Sequence, residues 1–325
     1  MFMKLFPILF LASCLLVRAE TEEAISKRFT VQSNGKLVVD VSFGAITVNT
    51  HASSEVMVDV LRKVGRNNKE DEETFLAEHP VTITQDGDVI TIHSRAENKK
   101  RSLWGGRQRL EAKYDITVPG QFNAQVKTAG GAIVISDLTG EVKADTSGGA
   151  LKFSNLKGPL DGTTSGGSIR VTDCQGALKV DTSGGGIQVS GGSGNLHAET
   201  SGGSIAVKGF KGSMQSETSG GGITVEDVSG RVQGSTSGGS ISARFSSPVA
   251  EEVKLETAGG GVTVRVAENS AFDLDAVTSG GGVSSDLTVN TDAKPTRGKL
   301  KGPVNGGGKP MILRTSGGSI QVTKL

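Results

Sequence analysis

The sequence predicts an all-β protein: a parallel β-solenoid of about ten coils, with an irregular N-terminal β section and one short helix. Three observations predict it. A Thr-Ser-Gly-Gly phrase returns at a fixed interval, apolar residues alternate twice within each interval, and glycine is abundant, with 47 among 325 residues. A fixed period near 20 residues is the signature of stacked repeats. The fold class therefore follows mainly from spacing.

The repeated phrase begins with a threonine that recurs along the second half of the chain. These threonines are Thr128, Thr146, Thr164, Thr182, Thr200, Thr218, Thr236, Thr257, Thr278 and Thr315. The first seven are 18 residues apart, the next two intervals are 21 residues and the last is 37 residues. In a solenoid, residues one repeat apart lie above one another. We therefore expect these threonines to form a column.

Each repeat contains two short strands. In the unit that starts at Thr164, apolar residues stand at Ile169 and Val171 and again at Leu178 and Val180. This alternation is typical of strands with one buried face. The equivalent positions in other units are Ile133, Leu151, Ile187, Ile205, Ile223 and Ile241, and Val142, Leu160, Leu196, Met214 and Val232. Stacked about 4.8 Å apart, they close into a continuous core. The crossover rule favours right-handed winding.

The glycines of the phrase suggest a corner that other residues cannot make. Either the backbone there has positive φ, or the next coil approaches too closely for a side chain. The threonine and serine hydroxyls beside them are expected to bond across coils and to satisfy polar groups of the turn.

The chain divides into three segments: 1–19, an N-terminal β section at 20–127, and the repeats at 128–325. Strands are expected in the N-terminal section at 36–42, 45–49, 55–61, 81–84, 89–93 and 114–118, with a helix at 68–78. This section would begin and cap the stack, because an open strand edge invites pairing with other chains. A longer excursion at 284–314 carries Lys294, Arg297, Lys299 and Lys301, whose charge would blunt the other end.

Residues 1–19 are expected to be a secretory signal. Lys4 supplies the positive start, and Leu5–Val17 is an apolar run too short for a membrane span of about 20 residues. Cleavage before Glu20 is the first reading. The alternative is that Leu11-Ala-Ser-Cys14 is a lipobox and Cys14 is lipidated. Either way we expect an extracytoplasmic protein, at the periplasm, cell surface or outside, with no transmembrane span in its mature form.

Net charge gives no general attraction to nucleic acid. The whole chain carries +1, and removal of Lys4 and Arg18 with the signal leaves −1. A charge this small steers no polyanion toward the molecule as a whole. No nucleic-acid partner is expected.

Cysteine and carboxylate positions predict no cofactor and no metal. Cys174 occupies the place that Leu138, Leu156, Phe210 and Val228 hold in other coils, so it is expected in the core. An acidic column is formed by Asp145, Asp181, Glu199, Glu217 and Glu256. One carboxylate per coil is too few for calcium, which takes six to eight oxygens. The bases Lys143, Lys179 and His197, each two residues before an acid, predict charge pairing instead.

The sequence favours a protein without catalytic activity. Six consecutive 18-residue coils have no insertion that could wall a cleft, and Gly-x-x-x-x-Gly-Lys-Ser/Thr is absent. Three histidines, His51, His79 and His93, lie in the N-terminal section without a serine or cysteine nucleophile at a recognisable spacing. The Thr-x-Thr rows of ice-binding solenoids are also missing.

The most distinctive surface segment is Arg95–Arg109. Its bases include Lys99, Lys100, Arg101, Arg107 and Arg109, and they surround Trp104. A basic hairpin with a tryptophan at its tip suits contact with anionic lipid, lipopolysaccharide or acidic glycan. The alternative is a solvated loop with Trp104 packed on the cap. Both readings stay open.

Three features together resemble the bacterial putative-adhesin family of β-strand-repeat proteins. They are the Thr-Ser-Gly-Gly-x-Ile units, the Tyr114-Asp-Ile-Thr-Val-Pro119 lead-in, and Gly302–Gly308 before Leu313–Ile320. The resemblance covers about residues 28–325. It implies an extracytoplasmic β-solenoid of otherwise unknown function and assigns no catalytic residue.

Composition, export signal and resemblance together predict a secreted, non-enzymatic module of the cell envelope or cell surface, structural or adhesive in role. Its partner would be a surface polymer or an envelope protein. Two alternatives remain open: a carbohydrate-active β-helix enzyme with a site near 93–115 or 284–310, and an accessory factor in envelope-stress regulation.

Overall fold

The computed structural model describes residues 20–65, 68–95, 109–291 and 296–325. In these residues the chain forms strands and one short helix, arranged as two 14-stranded sheets that enclose a single core. Twelve strands of each sheet run in a parallel stack, one strand per sheet in every coil. The predicted all-β solenoid is confirmed, with twelve two-strand coils in the described chain where about ten were expected.

The elements before the repeats are β1 Thr21–Thr30, β2 Lys36–Val41, β3 Ala45–His51, β4 Glu55–Gly65, α1 Lys69–Glu78, β5 Thr82–Asp86, β6 Val89–Ser94 and β7 Arg109–Pro119. They contribute β1, β3, β4 and β7 to one sheet and β2, β5 and β6 to the other. The sequence anticipated all of these except β1. That strand lies at a sheet edge and carries charged residues on both sides, so its alternation is weak.

The repeat strands follow in strict alternation. They are β8 Asn123–Thr128, β9 Ile133–Ser136, β10 Val142–Thr146, β11 Leu151–Ser154, β12 Leu160–Thr164, β13 Ile169–Thr172, β14 Gln175–Thr182, β15 Ile187–Ser190, β16 Ser193–Thr200, β17 Ile205–Lys208, β18 Lys211–Thr218, β19 Ile223–Glu226, β20 Val232–Thr236 and β21 Ile241–Phe245. The last coils are built from β22 Val253–Thr257, β23 Val262–Val266, β24 Phe272–Thr278, β25 Val283–Ser285, β26 Lys299–Val304, β27 Lys309–Thr315 and β28 Ile320–Lys324. We call the sheet that contains the odd-numbered strands from β9 to β23 sheet A, and the sheet that contains the even-numbered strands from β8 to β22 sheet B.

Residues 18 apart are vertical neighbours, as the spacing predicts. Ile169 pairs with Ile187, and Ile187 with Ile205, in parallel register on sheet A. All three side chains are at most 2% exposed. Sheet B repeats the arrangement with Leu178 opposite Leu196. The aliphatic columns of both sheets therefore form the core that stabilises the stack.

The glycine corners work by close approach of neighbouring coils. A Cβ added to Gly203, the second glycine of its phrase, would lie 2.0 Å from the carbonyl oxygen of Gly185 in the preceding coil. A Cβ on Gly202, the first glycine, would lie 3.6 Å from its nearest atoms. Neither glycine has a left-handed φ. Of the two roles expected for the glycines at this corner, positive φ and close approach of a neighbouring coil, the structure shows close approach.

Positive φ occurs at the opposite corner instead. Gly158 and Gly176 have φ of 134° and 133°, and Asn155 and Asp173, three residues before them, have φ of 54° and 51°. Asparagine and aspartate tolerate this left-handed region better than most residues. This second turn is thus an Asx-glycine corner, whose left-handed step the sequence analysis did not assign.

The threonine column is a ladder of buried hydrogen bonds. Thr200 Oγ1 donates to the carbonyl oxygen of Gly185 in the preceding coil at 2.8 Å and accepts from the backbone N–H of Gly203 at 3.3 Å. Equivalent pairs of bonds recur at Thr146, Thr164, Thr182, Thr218, Thr236, Thr257, Thr278 and Thr315. Each hydroxyl therefore ties one coil to the next, as expected.

Replacing Thr200 by valine, which keeps the shape but removes the hydroxyl, is expected to destabilise the protein by about 1–3 kcal/mol. The reason is that the half-buried carbonyl of Gly185 and the half-buried N–H of Gly203 would lose their partner. Urea denaturation of T200V measures the change. T200S retains the hydroxyl and serves as the control. A loss in T200S with none in T200V would show that the methyl group, and not the hydrogen bond, matters.

The spatial order of the last coils differs from their order in the chain. The column was expected to run Thr257, Thr278, Thr315, but Thr315 pairs with both Thr257 and Thr278 and lies between them. The coil β27–β28 is thus inserted between β22–β23 and β24–β25. The N-terminal end is built alike, with the coil β2–β3 between β6–β7 and β8–β9.

The N-terminal end is closed by the antiparallel strands β4 and β1 on sheet A and by α1. Asn68 caps the helix by accepting from the N–H of Asp71 at 2.8 Å. Glu72 of the helix is buried and accepts from Thr21 Oγ1 at 2.6 Å. Arg62 of β4 is fully buried and forms an ion pair with Glu23 of β1. These polar contacts join helix and edge strand over the end of the core.

The C-terminal edge of sheet B is the antiparallel strand β26. It carries Lys299 and Lys301, and Lys301 pairs with Asp275 at 3.4 Å. Lysine on an edge strand discourages pairing with other chains, in agreement with the expected role of this excursion. Lys294 lies outside the described residues.

Candidate functional site

The outward side of sheet B, here called the B face, carries charges of both signs in contact. Lys179 pairs with Asp181 at 3.4 Å, His197 with Glu199 at 3.7 Å and Lys254 with Glu256 at 3.1 Å. The charge pairing predicted for the acidic column is present at these acids and at Asp145, whereas Glu217 accepts a hydrogen bond from Gln215 Nε2 at 2.7 Å.

Two ion pairs of the B face run between neighbouring strands. Asp145 pairs with Lys127 at 3.3 Å, and Lys143, its expected partner, pairs with Asp161 at 3.8 Å. In a stacked sheet the residue above or below is as close as the residue two places along the strand. Ion pairs on the B face therefore form between register partners in neighbouring strands as well as between residues two places apart in one strand.

One group on the B face brings metal-ligand atoms together. Ligand atoms of Asp181, His197 and Glu199 all lie within 4.8 Å of one another. Lys179 contacts the same aspartate, and the charge of Asp181, with its hydrogen bond and the more distant Asp161, raises the pKa of Lys179. The ammonium of Lys179 thus already neutralises this carboxylate, and the arrangement fits a charge ladder.

The outward side of sheet A, along the odd-numbered strands β9 to β23 and the last strands β28 and β25, is here called the A face. It has a different charge pattern. Its exposed bases Lys152, Arg170 and Arg265 make no ion pair within the described part of the chain. Two further bases are paired: Lys208 with Glu226 at 3.1 Å and Arg244 with Asp227 at 3.5 Å. Glu226 is the only acidic residue at the described outward positions of these strands. The A face is therefore basic.

The bases of the A face lie in two like-charged pairs. Lys152 is the register partner of Arg170, and Arg244 that of Arg265. Partners in neighbouring strands are about 4.8 Å apart, so the whole row from β11 to β23 extends about 29 Å along the stack. Between the two pairs, on β15, β17 and β19, the outward residues are Gln188, Ser190, Ala206 and Thr224, together with the ion-paired Lys208 and Glu226. The result is a flat strip with positive charge at both ends.

Cys174 is a core residue, as expected. It is fully buried, and burial raises the pKa of its thiol. Both effects suppress the thiolate, which is the reactive form.

We therefore expect the native protein to resist a thiol reagent such as DTNB at pH 8, with one thiol per mature chain reacting in denaturant. A moderate rise in pH should not start the reaction while the protein stays folded, because the thiol is buried and its pKa lies above the ordinary value. Absorbance at 412 nm measures the reaction. Rapid labelling of the folded protein would contradict burial, and C174S supplies the blank.

The histidines form no catalytic set in the described residues. His51 contacts Ser53 Oγ through Nδ1 at 2.9 Å, a pairing the sequence analysis did not foresee, while its Nε2 meets the carbonyl oxygen of Glu55 at 2.7 Å. No carboxylate orients the ring, so the contact is a turn hydrogen bond. His79 stacks on Phe75 with ring centroids 4.1 Å apart. His93 lies exposed on β6.

The predicted basic hairpin is not tested by the structure. Trp104, Lys99, Lys100, Arg101 and Arg107 lie outside the described residues, as does Cys14. Arg109 begins β7, but its side chain is likewise not described. Both readings of this segment stay predictions. The described helix, α1, has ten residues, and no described helix is long and apolar enough to cross a membrane.

Sequence reasoning missed the A face. Lys152, Arg170 and Arg265 look like ordinary outward residues of separate strands, and no motif joins them. The repeat spacing places Lys152 directly beside Arg170, which was readable from the sequence. In the described chain no acidic partner lies beside these three bases. This absence is visible only in the tertiary structure, which places both corners and both sheets.

Stacked two-strand coils with threonine-glycine corners and polar outer faces define the class of this protein, a β-solenoid of the toastrack kind. The Toastrack DUF4097 family profile matches residues 34–323. The chain belongs to this family. The resemblance recognised from the repeat motifs is thus confirmed. No functionally curated protein matches the chain significantly.

Several solved structures of bacterial proteins are similar to this chain at low sequence identity. A putative adhesin from Bacteroides fragilis is 11% identical with a TM-score of 0.36, covering 93% of this chain and 97% of that one. A putative adhesin from Parabacteroides merdae is 12% identical with a TM-score of 0.36 and coverages of 93% and 96%. A putative cell adhesion protein from Clostridium sporogenes is 12% identical with a TM-score of 0.22 and coverages of 94% and 100%.

Proposed function

We propose that the protein is a secreted, non-enzymatic module of the cell envelope or cell surface that binds surface polymers through a flat side of its solenoid. The observation that carries this proposal is the unbroken run of coils from Thr128 to Phe245, where short corners leave both outer faces level and open. A flat, regular and polar surface about 29 Å long suits an extended partner better than a small molecule.

The same geometry argues against turnover of a polymer. Hydrolysis of a glycosidic bond uses two carboxyl groups that flank the bond, one of them with a raised pKa. On the B face the carboxylates of Asp181, Glu199 and Glu256 are each matched by a nearby base. These carboxylates are thus engaged in ion pairs along the strands and do not face each other across an open cleft, which favours a binding or structural role.

Export is part of the proposal, and the described residues beside the expected cleavage position fit it. Strand β1 begins at Thr21, one residue after the predicted cleavage position, and Glu72 accepts a hydrogen bond from the backbone N–H of Thr21 at 3.1 Å. Cleavage before Glu20 would leave this anchor intact.

The proposal is tested by expressing the full chain in a bacterial host and incubating the exported protein with insoluble cell-wall and capsular fractions. We expect the protein to sediment with at least one fraction, to release no new reducing ends, and to start at Glu20 by mass spectrometry. Retention in the cytoplasm, release of reducing ends, or failure to bind any envelope fraction would each contradict it. A mature mass that includes lipid on Cys14 would show tethering at the membrane.

A further inference from the structure

We infer that the A face is a binding site for an acidic polysaccharide, with Lys152, Arg170, Arg244 and Arg265 as its contact residues. This inference rests on the proposed function and names the face and the ligand class. The ligand would lie along the solenoid axis, across the strands, so that its carboxylate or sulfate groups meet both basic pairs.

The first argument is the contrast between the two faces. On the B face, Lys127, Lys143, Lys179 and Lys254 each have a carboxylate within 4.0 Å. On the A face, Lys152, Arg170 and Arg265 have no such partner in the described chain, although they belong to the same coils. A polyanion would complete on the A face the pairing that the B face makes internally.

The second argument is the cost of the arrangement in the free protein. Like charges at directly neighbouring strand positions repel one another. The register brings Lys152 beside Arg170, and Arg244 beside Arg265. Asp227, in the turn that follows β19, relieves only the second of these pairs. An anionic ligand would neutralise these bases and remove their repulsion. The relief of this repulsion would add to the favourable free energy of binding.

The third argument concerns which polyanion fits. Serine, threonine and glutamine between the basic pairs offer hydrogen bonds to sugar hydroxyls, and exposed aromatic residues on which nucleic-acid bases could stack are absent from the described A face. Large exposed hydrophobic side chains in the described chain are Val89 and Leu325, neither of them on the strip, so nothing there would insert into lipid. The chemistry favours a charged glycan.

The test compares two variants with equal loss of charge. The A-face variant is K152Q/R170Q/R265Q, and the B-face control is K127Q/K143Q/K179Q. Each is checked for its fold by circular dichroism and thermal unfolding. Binding to polygalacturonate, to neutral dextran, to anionic phospholipid vesicles and to single-stranded DNA is measured at low and at physiological ionic strength.

We expect the wild-type protein to bind polygalacturonate and not dextran, more weakly as salt rises because the contacts are exposed charges. The A-face variant should bind at least about tenfold more weakly, which corresponds to about 1.4 kcal/mol. The B-face control should stay within about threefold of the wild type, a change of less than about 0.7 kcal/mol. Q188E, a single acid placed between the basic pairs, should also weaken binding.

Equal losses in the two triple variants, or no loss in the A-face variant, would overturn the inference and leave the proposed function standing. Preference for vesicles or DNA over polygalacturonate would overturn the ligand class. If the wild-type protein bound an envelope fraction but no acidic glycan, the inference alone would fail. If it bound no envelope fraction either, both proposals would fail.

Discussion

Replacing Gly203 by alanine is expected to destabilise the protein by about 3–4 kcal/mol or to prevent folding, since overpacking without room to relax costs at least about 1–3 kcal/mol. The new Cβ would lie 2.0 Å from the carbonyl oxygen of Gly185, and the obstacle is backbone, which cannot rotate away as a side chain can. To make room, two coils would have to separate, and this would lengthen the hydrogen bond from Thr200 to Gly185 as well. Urea denaturation followed by circular dichroism measures the change.

The neighbouring glycine supplies a matched control. G202A adds the same methyl group one residue earlier, where its nearest atoms would be 3.6 Å away. We expect a change of less than about 1 kcal/mol, as for alanine in place of glycine at a compatible position. If both substitutions cost the same, the close approach of coils is not what requires glycine, and the present account of the corner is wrong.

Truncating Phe210 to alanine is the second substitution with a large expected effect, about 3–5 kcal/mol. Phe210 is fully buried at the Asx-glycine corner, in the column that also holds Cys174 and Val228. The coil between Cys174 and Phe210 has Gly192 at this position, which offers no side chain to fill a cavity. A side chain cannot be added there, because a Cβ on Gly192 would lie 2.2 Å from the carbonyl oxygen of Cys174.

The comparison for this prediction is F210L, which keeps most of the buried volume and should lose clearly less stability than F210A. Differential scanning calorimetry provides the enthalpy and midpoint for both. A cost for F210A no larger than that of F210L would indicate that the corner collapses to fill the space. It would also indicate that the column is packed more loosely than the burial of Phe210 suggests.

The sequence predicted the stack well because its signal was periodic. A buried isoleucine such as Ile187 is surrounded by copies of itself, so one correct interval places a whole column. The same regularity predicted the hydrogen-bonding threonines and the core position of Cys174. Periodicity could not reveal which of two roles the glycines have, because close approach depends on distances between coils.

Strand β1, the order of the terminal coils and the candidate binding face were not predicted, for a different reason. β1 pairs antiparallel with β4, a strand distant in the chain, and this pairing, which places Glu23 beside Arg62, follows no repeat interval. The order of Thr257, Thr315 and Thr278 depends on where a loop allows the chain to return. On the A face, Lys152 and Arg170 become notable only through what surrounds them, and that depends on the whole tertiary arrangement.

The inserted terminal coils limit how such a chain can grow and when it can be completed. A polypeptide emerging N-terminus first can lay down its middle layers in succession, but β27–β28 must enter between two layers that are already specified. The closing step therefore waits until β27 and β28 have been synthesised. Extra coils could be gained by duplication of interior repeats without disturbing either inserted coil. A segment added after Leu325 could not extend the stack directly, because β28 already lies between β23 and β25.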